Sequence, residues 1–106
     1  MSYKWPNKDS NETLDYSLNW SRYLRSGETI VSSSWYIDGA DGVKVSFDAP
    51  NTVNGLQNSY SANSSTVTSI TLSAGTANKN YKLYCTVTLN TGFVAERSIT
   101  ISIKER

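Results

Sequence analysis

The sequence predicts an all-β, antiparallel sandwich. Apolar residues recur at every second position through most of the chain, which puts them on one face of a strand. Runs rich in Gly, Asn, Asp and Ser separate these stretches, and no stretch shows the spacing of an amphipathic helix. About seven short strands with no helix between them argue antiparallel pairing rather than parallel β-α-β units. The 106 residues are enough for one domain with a modest core.

Residues 1–12 are polar and contain Pro6, with Tyr3 and Trp5 as their large apolar groups; they read as an N-terminal arm ahead of a domain over residues 13–106. Tryptophan is a frequent interface anchor, so Trp5 is expected to bury against another chain, with Tyr3 beside it. Leu14, Tyr16, Leu18 and Trp20 alternate with polar residues as a half-buried strand does, and the pattern breaks at Tyr23 before Gly27. Over residues 28–38, Val31, Trp35 and Ile37 share one face, with Ile30 and Tyr36 on the other. Val43, Val45 and Phe47 form a short strand. Residues 51–65 are mostly turn formers with isolated Val53, Leu56 and Tyr60, and read as a long loop or irregular edge, a common place for function. The run resumes over residues 66–73 with Ile70 and Leu72, where Val67 sits out of phase as at a bulge.

The longest pattern lies at residues 81–104. Tyr81, Leu83, Cys85, Val87 and Leu89 alternate with polar residues up to Asn90-Thr91-Gly92, which has hairpin chemistry. Phe93, Ala95, Ile99, Ile101 and Ile103 then continue one apolar face. Arg97 falls on that same face, where an unpaired guanidinium is costly, so a bulge or an acid such as Asp15 or Asp38 is expected beside it. The expected core is Leu18, Trp20, Trp35, Leu72, Leu83, Cys85, Val87, Ile99 and Ile101. This pattern and length fit an immunoglobulin-like sandwich. Tyr81 would be its corner tyrosine, although it stands four residues before Cys85 where the motif has two.

Composition narrows function. Ten basic and nine acidic residues give a net charge of +1 without blocks, so no basic stripe for nucleic acid is visible. No apolar run approaches the roughly 20 residues that span a bilayer. The opening residues lack the apolar centre of a secretory signal, so export by that route is not expected. One cysteine cannot form an internal disulfide. The chain has no histidine, hence neither the commonest metal ligand nor the commonest general base. Asp38 and Asp41 lie in a glycine turn that lacks a 12-residue calcium loop. Ser32, Ser33 and Ser34 read as strand surface, the acids form no specific pair, and no phosphate-binding glycine loop is present. No catalytic residue, cofactor or metal is expected. The aromatic residues remain, with three Trp and seven Tyr. Trp20 and Trp35 suit the core, while Tyr36, Tyr60 and Tyr84 would form either a sugar-stacking platform or a protein contact.

Two regions taken together resemble a known family. LDYSLNWS at residues 14–21, followed by ETIVSSSW at residues 28–35, is similar to the first half of small tailed-phage virion proteins described as fibre-tail adaptors. GFVAERSITI at residues 92–101 is similar to their closing strand. The resemblance implies a disulfide-free, immunoglobulin-like domain, present in several copies between tail and fibre and made in the host cytoplasm. Its partners would be other virion proteins, with no nucleic acid or membrane. Capsid decoration is the alternative position in the particle, and a carbohydrate-binding module the alternative class. An adaptor needs two contact surfaces. Tyr3, Trp5, Leu56, Tyr60, Tyr36 and Tyr84 are the candidates, with residues 1–12 and 51–65 expected to order on assembly.

Overall fold

The computed structural model describes residues 2–39 and 41–105, except for the side chains of Ser2 and Tyr3. The described residues form nine strands and no helix. In chain order these are β1 Ser2–Lys4, β2 Leu14–Asn19, β3 Ile30–Asp38, β4 Lys44–Ser46, β5 Asn51–Val53, β6 Leu56–Asn63, β7 Val67–Ala74, β8 Asn80–Leu89 and β9 Val94–Ser102. They make two layers, a five-stranded sheet ordered β1-β9-β8-β3-β4 and a four-stranded sheet ordered β2-β7-β6-β5. All pairings are antiparallel except that of β1 with β9. The all-β sandwich is therefore present without a disulfide, and Cys85 is a buried free thiol.

Each long strand faces the core with the residues its alternation selects. Every expected core residue is buried, and Trp35, Leu72, Leu83, Cys85, Val87, Ile99 and Ile101 are closed to solvent. Two irregularities change the phase. The β3–β8 register shifts between Ile30 and Ser32, so Ile30 is buried and Val31, expected inside, is 57% exposed. At the same end of β8, the turn runs one residue longer than Asn90-Thr91-Gly92: the Leu89 N–H donates to Phe93 O and the Gly92 N–H to Leu89 O. Phe93 therefore lies in the turn and is exposed, and the inward phase of β9 starts at Ala95.

Two segments without a clean sequence pattern supply the strands beyond the expected seven. Ser2–Lys4 pairs with Ser98, Ile99 and Thr100 of β9, and Lys8 bridges to Ile103. Residues 2–8 of the expected arm are thus laid along the sheet edge. Trp5 is only 7% exposed and packs inside its own chain, stacked on Tyr16 at 4.7 Å and 6.1 Å from Trp35. Lys8 is fully buried, and its ammonium donates to Ala74 O at 2.6 Å and Asp9 O at 2.8 Å. Carbonyl acceptors make that burial tolerable, though desolvation still lowers the Lys8 pKa against the opposing pull of Glu12, Asp9 and Glu105.

Residues 51–65, expected as a long loop or irregular edge, contain all of β5 and β6 in a hairpin turning at Asn54-Gly55, both with positive φ. Buried Asn58 holds this hairpin. Its Nδ2 donates to Phe47 O at 2.8 Å, and its Oδ1 accepts from the Tyr60 N–H at 3.2 Å across the register shift between Asn58 and Tyr60. The bulge foreseen near Val67 lies here instead. In β7, Thr68 takes the inward position, accepting from Trp20 Nε1 at 2.9 Å and facing Cys85 Sγ at 3.5 Å. Its neighbour Val67 is half-buried.

Candidate functional site

Side chains on the outer face of the five-stranded sheet come from the positions that alternate with the core. Tyr36 of β3 and Tyr84 of β8 lie directly opposite one another, flanked in register by Ser46 of β4 and Ser98 of β9. The Tyr84 hydroxyl donates to Asp38 Oδ1 at 2.9 Å. Desolvation, together with that bond to a carboxylate, pushes the Tyr84 pKa up. Lys44 stands over both rings, its Nζ 4.4 Å from the Tyr84 centroid and 5.6 Å from that of Tyr36, and pairs with Glu96 at 3.1 Å. Glu96 also accepts from Thr86 Oγ1 at 3.0 Å. Rings, cation and carboxylate are thereby held in one arrangement, so a partner meeting this face loses little side-chain freedom on binding.

A second feature lies where the two sheets part, along the free edges of β1 and β2. An open groove of about 760 Å³ runs there. Its apolar wall is formed by Trp5, Leu18, Trp20 and Tyr23, and Lys4, Arg22 and Arg97 supply charge. Arg97 is opposite buried Cys85 in register, so it points inward as its phase requires. Among the described residues it has neither the expected bulge nor an acid partner. The Arg97 guanidinium instead lies over Tyr23 at 4.7 Å and Trp20 at 5.0 Å from the ring centroids, and the two rings meet edge to face. Because this is the open margin of the sandwich, the charge packs on π faces while keeping contact with water. Among the described residues Arg97 donates a long hydrogen bond of 3.5 Å to Glu96 O.

The loops at this end are well tied. Buried Glu28 accepts from the Arg25 N–H at 2.8 Å and from Thr91 Oγ1 at 2.9 Å, and the Arg25 N–H is the main reason its pKa is lowered. Asn90 adds bonds to Thr29 N–H and Gly27 O, clamping the β2–β3 link to the β8–β9 turn.

Of the six candidate contact residues, the structure brings Tyr36 and Tyr84 together. Tyr60 is 63% exposed, but it is on the outer face of the four-stranded sheet, opposite Thr71 of β7. The three tyrosines therefore do not form one stacking platform. Trp5 and Leu56 belong to the protein's own core. Tyr3 is paired by its backbone with Ile99, and its side chain lies outside the described residues. Sequence reasoning missed the groove because Arg22 and Tyr23 sit in a turn with no periodicity. The available signal was Arg97, a cation in an apolar phase.

Two comparisons bear on this geometry. A family model described as "Podophage GP4 fiber-tail adaptor protein gp77" matches residues 8–102. No curated protein matches the chain.

Proposed function

The chain belongs to the podophage fibre-tail adaptor family, and on that premise we propose that it is a non-catalytic virion protein joining tail and fibre through protein–protein contacts on opposite faces of the sandwich. The observation that carries this reading is the division between half-buried Tyr36 and Tyr84 on one side and exposed Tyr60 on the other. Tyr36 and Tyr84 lie on the outer face of one sheet and Tyr60 on the outer face of the other. A bridge must present two separate surfaces, and rigid amphipathic rings make contact area at low entropic cost. Several copies around the tail would turn modest single contacts into firm attachment by avidity.

Particles test this. Phage lacking the protein should assemble filled heads and tails but carry no fibres, and immunogold against the protein should mark the tail–fibre junction. Label on the capsid shell would put capsid decoration in its place, and fibres retained without the protein would end the adaptor reading. Y60A and Y36A/Y84A should each keep the fold by circular dichroism, yet one should lose the fibre and the other the tail. Normal incorporation of both variants would show that these faces are not the contacts.

A further inference from the structure

The groove has three properties that together specify an occupant. Its charge is of one sign: Lys4, Arg22 and Arg97 line it and no acid does, in a chain whose net charge is only +1. None of the three has an ion-pair partner among the described residues, where the salt bridges are Arg25–Glu28 and Lys44–Glu96. Stacking fixes the Arg97 guanidinium by its faces, which leaves its N–H edges available for a carboxylate.

The second property is a free strand edge. β2 ends its sheet and pairs on one side with β7. The Trp20 N–H donates to Thr66 O, toward β7. Alternation along an antiparallel strand then turns the backbone groups of Asn19 and Ser17 away from β7, and both residues line the groove. Six residues long, β2 is a better template than three-residue β1. The third property is the apolar wall, where Trp5 and Trp20 close the core and Tyr23 remains exposed.

We propose that this groove binds an extended acidic segment of a partner protein, added as a strand along β2. Acidic side chains meet Arg97, Arg22 and Lys4, and alternating apolar side chains enter against Trp20 and Tyr23. Backbone pairing supplies affinity, and the charged and apolar positions supply selection. The partner's being a virion protein rests on the adaptor reading; the binding chemistry stands on the groove.

The test uses the purified full chain and a pool of fluorescein-labelled peptides of about ten residues, long enough to span one strand edge. In one pool Asp and Glu alternate with Leu and Phe, and in the control pool Asn and Gln replace the acids. Fluorescence anisotropy should show binding of the acidic pool that weakens as salt is raised. R97Q should weaken it by about tenfold or more, the loss expected when a charge-assisted pair loses one partner. Arg22 is exposed and makes no hydrogen bond or ion pair among the described residues, so R22Q should keep the fold and still reduce binding. In NMR, the amides of Ser17 and Asn19 should shift on titration. Equal binding of both pools, no binding of the acidic pool, or unchanged binding by both Arg variants would overturn the proposal. So would tighter binding of an oligosaccharide or single-stranded oligonucleotide at the same groove. Failure here leaves the adaptor reading intact, because that reading is decided on particles.

Discussion

Removing a single oxygen from Tyr81 should measure how strongly the two sheets are tied at one end. Tyr81 opens β8 in the five-stranded sheet, and its hydroxyl reaches the other layer. It donates to Asn54 O at 2.6 Å in the β5–β6 turn and accepts from the Thr76 N–H at 2.9 Å in the β7–β8 link. The ring is buried, so Y81F keeps the packing volume and removes only these two bonds. At about 0.5–1.5 kcal/mol net each, they contribute about 1–3 kcal/mol. Water can reach exposed Thr76, and Asn54 O still accepts from Thr76 Oγ1 at 3.3 Å, so the lower half of that range, about 1–2 kcal/mol, is expected. For a domain of this size, that lowers Tm by about 4–12 °C. Urea titration and thermal melts followed by circular dichroism read both values, with Y84F as the comparison. Y84F removes one bond to Asp38 from a half-exposed ring and should lose less. A Y81F midpoint equal to the parent's, or a smaller loss than in Y84F, would refute the claim that Tyr81 ties the layers together.

N58A should cost about 1–3 kcal/mol in urea unfolding, because it leaves buried Phe47 O without its side-chain donor and frees the β6 bulge; an unchanged midpoint would show that the hairpin holds without it. Burial raises the Cys85 pKa to about 12, so the folded protein should resist a thiol reagent at pH 8 and react fully in denaturant. Since the unfolded thiol ionises first, this group's contribution is fully present below pH 9 and falls as pH rises toward 12; rapid labelling of the native protein would contradict its place in the core. Lys8 has the opposite sense. Its folded pKa is lowered, so the unfolded state holds more protons just below the ordinary lysine range and stability rises with pH there. K8M should flatten that rise in alkaline thermal melts, and an identical pH profile would show that Lys8 is not desolvated.

Alternation along single strands made Trp20, Trp35, Leu83 and Ile99 legible as core, because the side-chain period of a strand is a local property that needs no partner. The two-layer class followed from the same pattern, since one-faced strands need cover. What the sequence left open depends on groups far apart in the chain. Asn58 turns a polar stretch into a strand only because Phe47 O lies within its reach. Trp5 belongs to the core only because β9 offers an edge and Tyr16 and Trp35 leave a face to cover. The inward phase of Arg97 was legible, but neither the bulge nor the acid expected from it is what meets the charge: rings 77 and 74 positions away, at Trp20 and Tyr23, do. Burial and charge are local costs, whereas the partners that meet them are chosen by which edges of the two sheets come together in space.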